Sequence, residues 1–187
     1  MTGETNPANP GGVIWICGLS GVGKTTLAVE VARLLQEIHA DVVRIDGDQF
    51  RRNFMPDAGY TRVDRLTVAR AIAQHAWAQA QRGSLCVVAT ISLFTEIHDS
   101  NRAAARAYQL PFVQSLIRAP DAAIYARRTA LIQCATHIVG THIKAEWPDA
   151  PQHNLVIDGN VDALLAEAIA IRELWLSRRP LTAHRSV

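Results

Sequence analysis

The sequence has a low content of charged residues and no long apolar stretch. Lys, Arg, Asp and Glu make up 19% of its 187 residues, and the formal net charge is only +2. Such a small charge gives no reason to expect nucleic acid or a membrane surface as a partner. No apolar run approaches the ~20 residues that a membrane span requires, and the first residues lack the apolar region of a signal peptide. We therefore expect neither a nucleic-acid nor a membrane partner.

Patterns that bind metals or form disulfides are also absent from the sequence. The three cysteines, Cys17, Cys86 and Cys134, have no metal-binding spacing, and the seven histidines form no His-x-x-x-His or Cys/His cluster. Two of the cysteines lie in apolar, strand-like runs. We expect buried free thiols in a reducing compartment, and hence a cytoplasmic location.

One stretch of the sequence, GLSGVGKTT at residues 18–26, carries a strong functional pattern. It matches G-x-x-x-x-G-K-[ST] and lies between an apolar run and a segment with helical periodicity, as that phosphate-binding motif requires. Glycines let backbone N–H groups turn inward around a phosphate, and the following helix adds its positive dipole end. A glycine-rich turn without a function would not explain a Lys followed by Thr. The stretch therefore predicts a site for a nucleoside triphosphate.

Every residue of this phosphate loop is a predicted nucleotide ligand. Lys24 is expected to reach the β- and γ-phosphates, and the hydroxyl of Thr25 is expected to hold Mg²⁺. The predicted set is Gly18, Leu19, Ser20, Gly21, Val22, Gly23, Lys24, Thr25 and Thr26.

Strand-like and helix-like segments alternate along the chain, which predicts parallel strands joined by right-handed crossovers. The expected fold is α/β, a three-layer P-loop fold with a five-stranded parallel sheet and helices on both faces. Residues 1–12 have the composition of a disordered leader, and residues 13–180 are expected to form a single domain. The predicted strands cover residues 13–17, 42–45, 85–91, 112–117 and 154–158.

Three local expectations concern the helices and the loops beside them. The spacing of Thr61 and Asp64 predicts a capping box at the start of a helix. Residues 51–63, which are rich in Arg and Gly, are expected to form a loop. The last helix is expected to bury one apolar face that contains Val161, Leu164, Leu165, Ala168 and Trp175.

Asp46 and Asp48 are the best-placed carboxylates for catalysis, because ligands of parallel sheets bind at the carboxyl ends of the strands. The chain lacks the N-K-x-D motif of GTPases, and its third strand ends in Ile91-Ser92 rather than in the acids of motor ATPases. In a kinase, one carboxylate orients the acceptor hydroxyl and accepts its proton, while negative charge keeps Mg²⁺ in place. Which of the two acids is the base stays open, and an Asp-Gly turn with two solvated acids is the alternative interpretation.

Several motifs, in this order along the chain, resemble the adenylyl-sulfate (APS) kinase family. They are the phosphate loop, DGDQFR at residues 46–51, Gly-Tyr-Thr at 59–61 followed by Asp-Arg at 64–65, and Ile-Ser at 91–92. The second and third motifs together are considerably more specific than the phosphate loop alone. The resemblance covers roughly residues 13–176, which is almost the whole chain.

The resemblance implies a kinase that moves the γ-phosphate of ATP to the ribose 3′-hydroxyl of adenylyl sulfate, with Mg²⁺, in sulfate assimilation. It implies catalytic roles for Lys24, Asp46 and Asp48, and it places Arg127 beside the ATP adenine as the arginine of a lid. The family commonly forms dimers, so a homodimer is one assembly to test. The implied acceptor-binding residues, with arginines on the phosphosulfate and Tyr60 at a stacking position, are Arg51, Tyr60, Arg65, Ile91, Ser92 and Phe94.

The departures from the family pattern concern the acceptor half of the site. Thr95 and His98 stand where the family has arginines, although His98 would offer a positive charge that switches with pH. Val68 replaces a substrate-contacting Asn, and the lid around residues 127–145 is short and lacks the family's lysines. Arg captures sulfate or phosphate with two charged hydrogen bonds, whereas Thr supplies one neutral bond.

These departures leave two alternatives beside adenylyl sulfate kinase. The first is a related kinase whose acceptor is another nucleotide conjugate, such as a nucleoside diphosphoramidate, or a small alcohol of a specialised pathway. The second is a regulatory protein that binds a nucleotide without transferring phosphate. The familiar activity is the leading hypothesis, because Arg51, Tyr60, Arg65 and Ser92 are retained.

Overall fold

Five parallel strands form a sheet in the computed structural model, which describes residues 11–118, 137–156 and 161–178. Neighbouring strands are hydrogen-bonded in the order β2-β3-β1-β4-β5, so that β1 lies at the centre. The predicted five-stranded parallel sheet is therefore confirmed, although Ile157 and Asp158 of the predicted fifth strand lie outside the described residues. The strands are β1 (Gly12–Gly18), β2 (Val42–Asp46), β3 (Leu85–Thr90), β4 (Phe112–Arg118) and β5 (His153–Val156).

Helices cover both faces of this sheet, which confirms the predicted three layers. β1 and β3 are buried at every position, as expected of central strands between two helical layers. The described helices are α1 (Lys24–Gln36), α2 (Gly47–Phe54), α3 (Arg62–Ala80), α4 (Thr95–Tyr108) and α5 (Val161–Arg178). The first packs against the fifth, and the third packs against the fourth. Among these described helices, none has both the length and the apolar composition needed to cross a bilayer.

The capping box predicted at the start of α3 is confirmed. The backbone N–H of Asp64 donates to the hydroxyl of Thr61 at 3.2 Å, and the backbone N–H of Thr61 donates to the Asp64 carboxylate at 3.0 Å. The two hydrogen bonds satisfy backbone donors that the helix itself cannot pair. They fix the point at which the chain enters α3.

The loop predicted for residues 51–63 is wrong at both ends, because α2 extends to Phe54 and α3 begins at Arg62. Asp46 is the N-cap of this helix, and its Oδ1 accepts hydrogen bonds from the N–H groups of Asp48 and Gln49 at 3.1 and 3.0 Å. Phe50 packs into the core. Asp at an N-cap favours the start of a helix. Asp46-Gly47-Asp48, for which a turn was the alternative interpretation, is therefore the beginning of α2.

The buried face of the last helix is also partly different from the prediction. Ala168 and Trp175 are buried as expected, but Leu165 is 43% exposed, and Ile171 occupies the buried face instead. Helical rotation places Ile171 and Trp175 on one side of Ala168 and places Leu165 about 60° away on the other side, at a flank of the buried face. One residue is about 100° of rotation, so a small error in the position of the face exposes a flanking side chain.

Cys17 and Cys86 are buried free thiols, which confirms the prediction for these two residues. Cys134 lies outside the described residues.

Candidate active site

A cleft of about 400 Å³ opens at the carboxyl ends of β1, β2 and β3. The predicted catalytic residues Lys24, Asp46 and Asp48 all line it. So do the six predicted acceptor-binding residues, which come from α2, the following loop, α3 and the end of β3: Arg51, Tyr60, Arg65, Ile91, Ser92 and Phe94. Arg127 lies outside the described residues. Parallel strands thus bring together residues that are far apart in the sequence.

The phosphate loop forms one wall of the cleft. Gly21 and Gly23 have φ values of 79° and 96°, which residues with a Cβ rarely adopt. α1 begins directly afterwards at Lys24, whose Nζ donates a 2.7 Å hydrogen bond to the carbonyl oxygen of Leu19. The backbone N–H groups at a helix start, with their positive dipole end, form a site suited to an anion.

The nine predicted loop residues do not all face the cleft. Its lining contains Ser20, Gly21, Gly23, Lys24, Thr25 and Thr26. Leu19 and Val22 are instead buried in the hydrophobic core beneath the loop, and Gly18 is the last residue of β1. These three residues therefore support the loop from behind.

Thr25 and Asp46 join the phosphate loop to the end of β2. The Thr25 hydroxyl donates to Asp46 Oδ2 at 2.8 Å, while Asp46 Oδ1 caps α2. Both oxygens of this carboxylate are thus engaged. A hydroxyl and a carboxylate at this separation are hard oxygen donors, so the pair fits a Mg²⁺ ion held together with phosphate oxygens.

Asp48 lies in the first turn of α2 and has a different environment. Its carboxylate lines the cleft and makes no side-chain hydrogen bond to any residue that the structure describes. Asp48 is close enough to Arg65 to influence its pKa, but burial and the neighbouring Arg51 have larger effects and lower that pKa. Of the two acids, Asp48 is the one available to a bound molecule.

Two arginines meet at the ring of Tyr60 in the other half of the cleft. The Arg51 guanidinium lies 3.9 Å from the centre of this ring, and that of Arg65 lies 5.4 Å away. Arg51 also donates to the carbonyl oxygens of Ala58 and Gly59. Arg65 donates to the carbonyl oxygens of Tyr60 at 3.2 Å and His137 at 2.9 Å. The backbone and the ring thus hold both cations side by side at the cleft.

The floor of this half is apolar. Ile91 and Phe94 line it together with Val68, the residue that replaces the family's Asn. Ser92 is buried, and its hydroxyl accepts a 2.9 Å hydrogen bond from the indole N–H of Trp15. Sequence reasoning missed four further apolar lining residues, which no motif marks and which only the fold brings to the cleft: Ala69, Ile72, Ala89 and Val139.

His98 does not provide the switchable charge that its position in the sequence suggested. Its side chain is only 1% exposed, and its ring is hydrogen-bonded to the carbonyl oxygen of Glu146 at 3.0 Å and to the amide of Gln114 at 2.7 Å. Burial lowers the pKa of His98 below its ordinary value. The ring is therefore neutral near pH 7 and packs inside the protein.

A parallel sheet that carries this loop and these carboxylates at one edge defines a P-loop kinase. Residues 10–135 match the family model described as adenylylsulphate kinase, and the chain belongs to this family. The adenylyl-sulfate kinase of Myxococcus xanthus is 31% identical over 180 residues, which are 92% of this chain and 95% of that protein. The predicted family and fold are thereby confirmed.

Two further relatives are kinases whose names give different acceptors. The cytidine diphosphoramidate kinase of Campylobacter jejuni is 29% identical over 163 residues, which are 85% of this chain and 92% of that protein. The structure of the Mycobacterium tuberculosis APS kinase CysC, in complex with AMPPNP and APS, has a TM-score of 0.74 and 26% identity to this chain. The superposed residues cover 88% of this chain and 97% of the Mycobacterium tuberculosis chain. Family membership therefore identifies a nucleotide-binding kinase and leaves the acceptor open.

Proposed function

We propose that this protein transfers the γ-phosphate of ATP, with Mg²⁺, to the 3′-hydroxyl of adenylyl sulfate. The observation that carries this proposal is that Asp48 lines one cleft together with the Thr25–Asp46 pair and with Arg51 and Arg65. An acid that shares a cleft with a phosphate site and a cationic site can meet the acceptor hydroxyl as it approaches the γ-phosphate.

The donor half is formed by the phosphate loop and the residues around it. Its backbone N–H groups and Lys24 would hold the phosphates of ATP. The Thr25 hydroxyl and the Asp46 carboxylate, which lie 2.8 Å apart, would hold Mg²⁺. When bound, this ion neutralises charge on the phosphate oxygens. Leu19 and Val22 anchor the loop in the core, and Asp46 caps α2, so the fold would position the donor.

Asp48 is the proposed base. Asp46 is committed through both of its oxygens to Thr25 and to the cap of α2, whereas the Asp48 carboxylate has no such partner among the described residues. It can therefore accept a hydrogen bond from the acceptor hydroxyl and take its proton during transfer. The difference in hydrogen bonding between the two acids supports this assignment.

Arg51, Arg65 and Tyr60 are the proposed acceptor clamp. Guanidinium groups bind the oxygens of phosphate and sulfate through paired, charge-assisted hydrogen bonds. The exposed ring of Tyr60 offers an aromatic face for a nucleobase, and Ile91, Ser92 and the buried Phe94 shape the cleft beyond the end of β3. A nucleotide that carries a second anionic group fits this combination.

A second candidate acceptor is cytidine diphosphoramidate, which also combines a nucleoside with two anionic groups. The positions of the family's two arginines supply no cation here, because one is Thr95 and the other is the buried, neutral His98. The Campylobacter jejuni relative also supports this candidate. If the sulfate of adenylyl sulfate is replaced by the phosphoramidate of cytidine diphosphoramidate, the cations that bind the sulfate are no longer required, and their loss is expected.

The deciding experiment measures ADP release from Mg-ATP with adenylyl sulfate, with cytidine diphosphoramidate and with no acceptor. Lys24→Ala serves as the blank, and ATP binding is measured separately by calorimetry. Strong stimulation by adenylyl sulfate supports the proposal, and stimulation by cytidine diphosphoramidate alone supports the second candidate. ATP binding without stimulation by either compound rejects both acceptors and leaves a different alcohol or a regulatory protein.

A further inference from the structure

Arg62 and Glu146, which are 84 positions apart in the sequence, form an ion pair beside the cleft. Arg62 Nη2 donates to Glu146 Oε1 at 2.7 Å, and Arg62 Nε donates to the same oxygen at 3.3 Å. The same Nη2 also lies 3.0 Å from both carboxylate oxygens of Glu96. One guanidinium at the start of α3 thus binds two carboxylates.

Glu146 makes further contacts that Glu96 lacks. Its Oε2 accepts a 2.9 Å hydrogen bond from the backbone N–H of Thr95, and its own N–H donates to the carbonyl oxygen of Leu93 at 2.9 Å. Its carbonyl oxygen accepts from His98 at 3.0 Å. The hydrogen bonds from Arg62 and then from Thr95 lower the pKa of Glu146 to about 2, so this carboxylate is charged near neutral pH.

The residues held by these contacts form one wall of the cleft. Phe94 lies between Leu93 and Thr95, both of which are bonded to Glu146, and its ring lines the cleft. Val139 lines the cleft from the segment that leads to Glu146. Arg65, an arginine of the acceptor clamp, bonds the carbonyl oxygen of His137 in that same segment. The segment 137–146 is thus attached to Arg65 through His137 at one end and to Leu93 and Thr95 through Glu146 at the other.

We infer that Glu146 is a positioning residue for the acceptor: it ties residues 137–146 to α3 and α4 and thereby fixes the wall made by Phe94 and Val139. This inference rests on the proposed function, because it assigns the wall to acceptor binding. Glu146 does not line the cleft, and among the described residues it makes no hydrogen bond to the phosphate loop. Gly140 of the tethered segment lies against the Leu19 side chain, which is buried beneath that loop, so we expect the larger effect on the acceptor and a smaller one on the donor half.

Glu96 provides a matched control within the same cluster. Its carboxylate bonds the same guanidinium as Glu146, and removing it changes the charge of the cluster by the same amount. Among the described residues, the Glu96 side chain makes no hydrogen bond to Leu93, Thr95 or the segment 137–146, so Glu96→Ala tests the charge alone. Glu146→Ala removes the charge and the side-chain bonds to Arg62 and Thr95, whereas the backbone bonds of Glu146 with Leu93 and His98 do not depend on the side chain. Glu146→Gln keeps hydrogen-bonding oxygen and nitrogen atoms in place.

The first measurement is steady-state kinetics of the full chain with adenylyl sulfate or, if that is the acceptor, cytidine diphosphoramidate. We expect Glu146→Ala to raise the acceptor KM about tenfold while the ATP KM changes by less than about twofold, as for loss of acceptor positioning. Glu146→Gln should recover much of this loss, and Glu96→Ala should stay within about twofold of wild type. An unchanged acceptor KM in Glu146→Ala, or equal losses for ATP and acceptor, overturns the inference.

The second measurement needs no substrate and separates this inference from the proposed function. Amide hydrogen exchange of residues 137–146 should accelerate in Glu146→Ala and remain near the wild-type rate in Glu96→Ala. If wild type phosphorylates neither acceptor, the proposed function fails while the exchange result still decides whether Glu146 holds the wall. Equal exchange in wild type and Glu146→Ala shows that it does not.

Discussion

The hydroxyl of Thr25 lies 2.8 Å from Oδ2 of Asp46, and this hydrogen bond connects the phosphate loop to the cap of α2. One carboxylate therefore serves the start of a helix through one oxygen and the predicted metal site through the other. Because Asp46 is occupied in this way, Asp48 is the acid that we propose for the acceptor hydroxyl. The two acids should respond differently to the same substitution.

Asp48→Asn should lower kcat by about 10²–10⁴-fold, the usual effect of removing a general base. Asp46→Asn should also impair turnover, but mainly by weakening the Mg²⁺ site, so that raised Mg²⁺ restores part of the activity. Asn caps a helix about as well as Asp does, so α2 should remain folded in both variants. Steady-state kinetics over a series of Mg²⁺ concentrations makes the comparison. Rescue of Asp48→Asn by Mg²⁺, with none for Asp46→Asn, would reverse the assignment.

Restoring the family's two arginines should affect the stability of the fold strongly at position 98 and weakly at position 95. His98→Arg places a charge in a site that is 1% exposed, so we expect a loss of about 3 kcal/mol or more in the free energy of unfolding. Thr95→Arg is at an exposed position, and its effect on stability should stay within about 0.5 kcal/mol. Urea unfolding monitored by circular dichroism measures both. Equal stability of the two variants would contradict the buried, neutral environment of His98.

The ion pair of Glu146 predicts a specific dependence of stability on pH. The pKa of Glu146 in the folded protein is about 2, below its ordinary value of 4.5. A carboxylate with a lowered pKa stabilises the fold above its unfolded-state pKa, and this contribution is lost as the pH falls from about 4.5 towards 2. Glu146→Gln should therefore be less stable than wild type at neutral pH by about 2 kcal/mol, with a smaller difference at acid pH.

The check for this dependence is the free energy of unfolding of both proteins at about pH 7 and about pH 3. Glu96→Gln is the control, because its side chain is more exposed and bonds only Arg62 among the contacts described above. If the free energy of unfolding differs between wild type and Glu146→Gln by the same amount at both pH values, the prediction is contradicted. Stability would then depend on the contacts of Glu146 and not on its charge.

The thiols of Cys17 and Cys86 should be unreactive in the folded protein. Burial raises the pKa of each thiol to about 12, so almost no thiolate forms near neutral pH. We expect iodoacetamide to label both residues only after unfolding in guanidinium chloride, with mass spectrometry of peptides as the readout. Rapid labelling of Cys17 in the native protein would mean that β1 opens next to the phosphate loop.

Much of the donor half could be predicted because its signals are local. The phosphate loop is one continuous motif, and the capping box of α3 involves only Thr61 and Asp64. The acceptor-binding residues also came together in the cleft, since motifs that follow successive parallel strands end at the same edge of the sheet. α2 was missed because Asp46-Gly47-Asp48 is compatible with a turn and with a helix start, and only the burial of Phe50 distinguishes them.

The class of the protein follows from the sequence, because strand alternation, the phosphate loop and the capping box depend on residues that are close together in the chain. The burial of His98, the hydrogen-bond partners of Asp46 and the ion pairs of Arg62 are visible only in the folded structure. His98 meets Gln114, which is 16 positions away, and Arg62 meets Glu146, which is 84 positions away. Burial and pairing over such separations are set by the packing of the sheet and helices, which no local pattern encodes.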